Sequence, residues 1–429
     1  MKELHRRKFV LLFRSVTFEI MMMRSVIIIT AVVLLPLSFI GCGSVRGERE
    51  APYVVMVSLD AFRWDFDSIF GTPELDDIAK KGVMAERLIP SFPTKTFPNH
   101  YSIATGLYPD HHGLVNNSFY APDLDLVYRI GDRKMVENGA FYGGEPVWNT
   151  ARKAGLKTAS FYWVGSEAPI QGMQPDRWKS YDDEVPFGDR IDTVIKWLSL
   201  PQRERPHLIT LYFEEPDATG HQYGPFSPET GSVVRSLDSL IGVLRDGISR
   251  LPHAGRVNLI VLSDHGLGEI DASRYNYIFD TLPERMVNRI YGGSPAWAVE
   301  PAEGKTDSVI YLLNIQQKIK AYRRDDLPAH LHYGTHPRIP EVVLIADPGW
   351  IAGIRPSPSG YNRGDHGYDW LWEDMHSIFY AEGPAFKKDF TVDTLFNVDI
   401  YNVITRVLGI TPAPNDGNNR RISPLFREP

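Results

Sequence analysis

The run Tyr53-Val54-Val55-Met56-Val57-Ser58-Leu59 stops at Asp60, and this apolar run ending on a carboxylate decides the fold. Its β-branched, non-alternating character suits a strand covered on both faces. Leu208-Ile209-Thr210-Leu211-Tyr212-Phe213 repeats the pattern and leads to Asp217 and His221. Val257-Asn258-Leu259-Ile260-Val261-Leu262 repeats it again and leads to Asp264-His265. Helical segments lie around and between them: Pro73 to Lys81, Glu145 to Ala154, Asp189 to Leu200 and the long Pro228 to Leu251. Strands and helices in alternation predict an α/β protein, a mostly parallel central sheet with helices on both faces. Open sheets of this kind hold their ligands at the carboxyl edge, where Asp60, Asp217 and Asp264 would all fall.

A chain of 429 residues can build one large core, or one core carrying an insertion. Val26 to Ile40 is an apolar run too short to span a membrane comfortably, and it leads to Gly41-Cys42. This arrangement reads as a lipoprotein signal over residues 1–42 with Cys42 lipidated; a plain secretory signal or an anchor is the alternative. The expectation is therefore a membrane-anchored lipoprotein of the periplasm or cell surface. Residues 43–51 read as a linker, 52–415 as the catalytic domain and 416–429 as a polar tail, loose after Pro412. Within the domain the rhythm fails over about 270–340, which suggests a small inserted lobe. There lie Ile290 to Val299, a strand-like Val309 to Leu313 and a helical Ile315 to Arg324. Ile339 to Ala346 and Ser377 to Ala381 read as returning strands, and Asp393 to Leu408 as a closing helix.

The net charge of -7, with no block of Lys or Arg, argues against extended nucleic-acid binding and leaves room for a small charged substrate. Cys42 is the only cysteine, so the mature domain has no disulfide, no thiolate zinc site and no cysteine nucleophile.

Pro93-Thr94-Lys95-Thr96-Phe97-Pro98-Asn99-His100 places a hydroxyl at the foot of a helix. Thr96 fits an N-cap, with Pro98 in the first turn where a missing N–H costs nothing. An N-terminus of this sort attracts phosphate, although a capping threonine is the ordinary role of such a residue. The donors Asp60, Asp217, His221, Asp264, His265 and His366 suit a hard or borderline divalent metal. Asp217 and His221, four apart, fit one helical turn, and Asp264-His265 can serve two neighbouring ions. Singly, each acid reads as a cap or turn residue and each histidine as structural; together they suggest two Zn2+ beside a threonine hydroxyl.

These stretches resemble the nucleotide pyrophosphatase/phosphodiesterase family of the alkaline phosphatase superfamily. The likeness rests on Pro93 to Ser102 with Thr105 to Pro109, on Glu215-Pro216-Asp217 with Gly220-His221, on Ser263-Asp264-His265-Gly266 and on Asp365-His366-Gly367-Tyr368-Asp369. It runs from about Tyr53 to Gly409, with Trp370 standing where the family usually has Asn. The resemblance implies that Thr96 is the nucleophile of a phospho-threonine intermediate. It further implies one zinc on Asp60, Thr96, Asp264 and His265 and a second on Asp217, His221 and His366. Asn117 would bind a phosphate oxygen, and Phe97 and Tyr181 would sandwich a nucleobase. The implied activity is hydrolysis of nucleotide-type diester or anhydride bonds, releasing a nucleoside monophosphate; a monomer acting on a small-molecule substrate is the expectation. A phospholipid or choline-phosphate diesterase, or an inactive ligand-binding lipoprotein, is the alternative. His100, His111, His112 and His376 read as structural or surface residues.

Overall fold

The computed structural model describes residues 51–357, 360 and 362–427, so the signal segment, Cys42 and all of the linker except Ala51 lie outside the described residues. Strand β1 (Tyr53–Leu59) is buried along its whole length. After it come α1 (Pro73–Lys81), β2 (Val83–Ile89), α2 (Thr96–Thr105), α3 (Val147–Lys153), β3 (Thr158–Phe161), β4 (Arg177–Lys179) and α4 (Phe187–Leu198). The chain continues through β5 (Leu208–Phe213), α5 (Asp217–Tyr223), α6 (Pro228–Ser249) and β6 (Val257–Leu262). Then follow β7 (Val287–Gly293), β8 (Ala296–Pro301), α7 (Thr306–Asn314), β9 (Ile319–Arg323), β10 (Val342–Ala346), β11 (Ser377–Glu382), β12 (Phe390–Phe396) and α8 (Ile400–Leu408).

The central sheet has eight strands in the order β12-β2-β11-β6-β1-β5-β3-β4. All run parallel except β11, which is antiparallel to both of its neighbours. Alternate residues of β1 feed the two faces, as strand pleating requires. Val54 and Met56 pack with Ile103 of α2 and Ile404 of α8. Tyr53, Val55 and Val57 pack with Ile78 of α1 and Val234 and Ile241 of α6. The mostly parallel α/β architecture expected from the strand runs is thus present, and the three carboxylate-tipped strands β6, β1 and β5 are adjacent.

A second, antiparallel sheet, β7-β8-β10-β9, has its own core around Trp297, Val309, Leu313 and Leu344. Here two expectations are reversed. Val309 to Leu313 lies in helix α7, not a strand, and Val309 and Leu313 are buried one turn apart. Ile319 to Arg323 is strand β9, not helix, and Ile319 and Ala321 alternate inward. Short apolar runs do not declare their period. The Asn314 side chain fixes the boundary, accepting from Ala321 N at 2.8 Å and donating to Ala321 O at 2.9 Å.

Two further differences lie elsewhere. The closing helix is only Ile400–Leu408; Phe390–Phe396 is strand β12, pairing with β2 as the sheet edge. Residues 413–427 are not loose. Ile422, Leu425 and Phe426 are buried, and Arg421 pairs with the buried Asp399 at 2.6 Å.

Candidate active site

Asp60 follows β1 directly, Asp264 lies two residues beyond β6, and Asp217 opens α5 just past β5. His221 sits one turn along α5, its Nε2 3.2 Å from Asp217 Oδ1. A two-residue pairing of Gly364-Asp365 with Gly268-Glu269 carries His366 in from far along the chain, to 3.5 Å from the same Asp217 oxygen. His265 Nε2 lies 3.0 Å from Asp264 Oδ2 and 3.5 Å from Asp60 Oδ1.

Thr96 corrects an expectation. The cap position belongs to Lys95, whose backbone is extended; Thr96 is the first helical residue, and its hydroxyl makes no capping bond. Asn99 fastens the helix start instead, donating to Pro93 O and Lys95 O at 3.0 and 2.8 Å and accepting from Ser91 N at 2.7 Å. The Thr96 hydroxyl is therefore free to face the cluster, with Oγ1 3.3 Å from His265 Nε2.

The orientation of the imidazoles tests whether a metal fits. His221 Nδ1 lies 2.7 Å from Gly364 O, His265 Nδ1 2.9 Å from Gly266 O and His366 Nδ1 2.7 Å from Thr94 O. The carbonyls facing His265 and His366 only accept, so those Nδ1 atoms donate, and in the neutral rings Nε2 is left as a lone pair facing inward; the Asn362 amide nitrogen also approaches His221 Nδ1, at 2.8 Å. What they face is also acceptor-only: Asp60 Oδ1, Asp217 Oδ1 and Asp264 Oδ2 are buried without a hydrogen-bond partner. Lone pairs converging on orphaned carboxylate oxygens repel unless a cation lies between them. The three sets Asp217-His221-His366, Asp60-Asp217-His265 and Asp60-His100-Asp264 each bring their ligand atoms close enough for one ion. The residues present fit divalent metal.

The electrostatics carry the same tension. Burial, then the charges of Asp264 and Asp217, push Asp60 well above the usual carboxylate range. Burial opposes ionisation of Asp264, yet His265 and His100 hold it well below that range. Burial likewise works against the charged form of His221, and Asp217 overrides it, lifting the imidazole to about 9. His366 is pushed far down by burial, then by His265 and Lys95.

Beside the cluster lies a cleft of ≈ 540 Å³ whose walls include Asp60, Thr96, Phe97, Tyr181 and Asp217. Asn117 stands at the helix start, its Oδ1 accepting from Phe97 N at 3.0 Å, so its amide NH2 is left as a donor. Trp370 donates to His330 O at 3.2 Å and packs edge-on against Phe396.

Sequence reasoning passed over several site residues. Tyr212 donates to Asp60 Oδ2 at 2.6 Å, and only its place next to the end of a strand hinted at this. Lys95 donates to His366 O at 2.5 Å and to Ser294 O at 2.9 Å, holding the turn that presents His366. The ion pair of Arg133 with the buried Glu167 lines the cleft, and nothing in the sequence links those two positions. His100, set aside as structural, has Nδ1 3.2 Å from Asp264 Oδ2.

Residues 54–369 match the model of the type I phosphodiesterase / nucleotide pyrophosphatase family. The chain is similar to ectonucleotide pyrophosphatase/phosphodiesterase family member 1 of Homo sapiens, at 37% identity over 89% of this chain and 42% of the relative. It is equally similar to a venom phosphodiesterase of Crotalus durissus collilineatus, at 37% identity over 89% of this chain and 47% of that one. The chain thus spans less than half the length of these curated relatives. Among solved structures it is similar to murine ectonucleotide pyrophosphatase/phosphodiesterase 5, in an inactive threonine-to-alanine form in complex with AMP. That match has a TM-score of 0.84 and 33% identity, covering 88% of this chain and 100% of the other. The human counterpart gives 0.82 and 32%, covering 88% and 100%.

Proposed function

Because the chain belongs to the type I phosphodiesterase / nucleotide pyrophosphatase family, with the alkaline-phosphatase-like α/β fold, we propose that it is a two-zinc hydrolase of nucleotide-type phosphodiester or phosphoanhydride bonds. Asp60, Thr96, Asp264 and His265 would hold one Zn2+ and Asp217, His221 and His366 the other. When bound, the metals supply Lewis acidity, lowering the pKa of a hydroxyl and stabilising charge on phosphate oxygens. The observation that carries the proposal is the Thr96 hydroxyl, free of capping and 3.3 Å from His265 Nε2, on a residue that lines the cleft.

Thr96 Oγ1 gives up its proton to solvent and attacks phosphorus; the Oγ1–P bond forms as the bond to the leaving oxygen breaks, and the leaving group departs with that electron pair. Water then attacks the phospho-threonine, releasing the nucleoside monophosphate and restoring the hydroxyl. The amide NH2 of Asn117 donates to a phosphate oxygen, and Phe97 and Tyr181 stack on the base. The murine relative, inactive as a threonine-to-alanine form and holding AMP, supports both the nucleophile and the nucleotide. The chain acts as a monomer. Among the described residues no helix is long and apolar enough to cross a membrane, and attachment through Cys42 to a periplasmic or cell-surface membrane remains the proposal for its location.

Comparing nitrophenyl-TMP, nitrophenyl phosphate and nitrophenyl-phosphorylcholine as substrates tests the assignment. The nucleotide ester is expected to be turned over fastest. Faster turnover of phosphorylcholine would transfer the enzyme to the choline-phosphate diesterases.

A further inference from the structure

We infer that His100 is a positioning residue, tying the backbone of Thr96 to the central strand through Ser58 and setting it against the carboxylate of Asp264. This rests on the reading of Thr96 as nucleophile. His100 is fully buried, with Nδ1 2.9 Å from Thr96 O and 3.2 Å from Asp264 Oδ2, and Nε2 2.9 Å from Ser58 Oγ.

The partners fix the tautomer. Both groups facing Nδ1 only accept, so Nδ1 carries the hydrogen; in the neutral ring Nε2 then accepts from the Ser58 hydroxyl. Trp163 and Tyr212 hold the ring edge-on at 5.1 and 5.0 Å, and Trp163 Nε1 donates to His100 O at 3.0 Å. One imidazole thus bridges β1 and the start of α2 and faces Asp264 just beyond β6, each of which supplies part of the site.

A histidine that merely filled the core would affect stability alone. His100 faces the carbonyl of the attacking residue on one side and a buried oxygen of Asp264 on the other. Its loss lets the first turn of α2 shift against Asp264 and His265, which spoils the attack geometry with little effect on substrate stacking.

The test compares wild type, His100→Leu, His100→Asn and Ser58→Ala on nitrophenyl-TMP at saturating zinc, with zinc affinity by chelator competition and melting of the metal-free proteins. His100→Leu is expected to lower kcat about 100-fold with KM within about threefold, and to weaken zinc by about tenfold. His100→Asn keeps an N–H near the Nδ1 position and should recover most of both losses. Ser58→Ala, which removes the anchor on Nε2, should fall between them. A folded His100→Leu protein with wild-type kcat and zinc affinity overturns the inference. Should that variant fail to fold, wild-type kcat in Ser58→Ala does so. A wild type inert towards nitrophenyl-TMP overturns the functional reading alone. Chelator competition then decides His100, equal zinc affinity in His100→Leu and wild type overturning its role.

Discussion

The imidazoles of His265 and His366 stack face to face, 3.7 Å between ring centroids and 12° from parallel. Both are almost fully buried, and each hands its Nδ1 hydrogen to a backbone carbonyl. Two stacked rings with their Nε2 atoms close to Asp60, Asp264 and Asp217 make sense as the shared wall of adjacent cation sites.

If metal relieves that cluster, chelation should lower the melting temperature as well as abolish turnover, and zinc should restore both. Asp60→Asn separates the two effects. Burial and the charges of Asp264 and Asp217 already push Asp60 up, so the amide should raise the melting temperature of the metal-free protein while lowering zinc content. A metal-free Asp60→Asn protein less stable than metal-free wild type would count against this.

Tyr212 donates to Asp60 Oδ2 at 2.6 Å and thereby aims Oδ1 into the cluster. Tyr212→Phe should weaken zinc by roughly tenfold with little change in fold, as measured by chelator competition and circular dichroism.

Phe97 and Tyr181 line the same cleft as Thr96. Stacking on a base is worth about 1–3 kcal/mol per aromatic, so Phe97→Ala or Tyr181→Ala should raise KM for nitrophenyl-TMP by roughly 5- to 150-fold. Turnover of nitrophenyl phosphate, which has no base, should hardly change. Steady-state kinetics on the two esters checks both halves.

The fold carries its own acid sensitivity, away from the cluster. His112 is fully buried, its Nδ1 accepting from Leu114 N at 3.1 Å and its Nε2 3.0 Å from Ser102 Oγ, and burial pulls its pKa down to about 3. Between pH 6.5 and 3 the unfolded chain binds a proton here that the folded chain does not. The His112 contribution is therefore complete above pH 6.5 and lost as pH falls towards 3, a swing on the order of 5 kcal/mol. Urea denaturation across that range should show a shallower pH slope for His112→Gln than for wild type.

Much of this was legible in the sequence, for physical reasons. β1, β5 and β6 announce themselves because a strand buried on both faces has no polar alternation to dilute it, and the acids at their ends follow from sheet topology. β2 did not, because Glu86 and Arg87 interrupt its apolar run. Nor did α7 and β9, whose few residues satisfy either period until the Asn314 side chain sets the break. At the site, the donors that touch the cluster were readable as residue types in recurrent stretches. What stayed hidden were partners joined only in space: Tyr212 to Asp60, Lys95 to the His366 turn and His100 to Ser58. The Thr96 cap was misjudged because Asn99, three residues on, fastens the segment instead.

The central claim is that Thr96 attacks phosphorus while the other ligands hold the metals. Zinc content and acid-quenched peptide mass spectrometry, on wild type and Thr96→Ala incubated with nitrophenyl-TMP, test it most directly. The account predicts two zinc ions in wild type, a trapped nucleotidyl adduct on the peptide bearing Thr96, and no adduct and no turnover in a Thr96→Ala protein that still binds zinc. Wild-type turnover in zinc-loaded Thr96→Ala would contradict it.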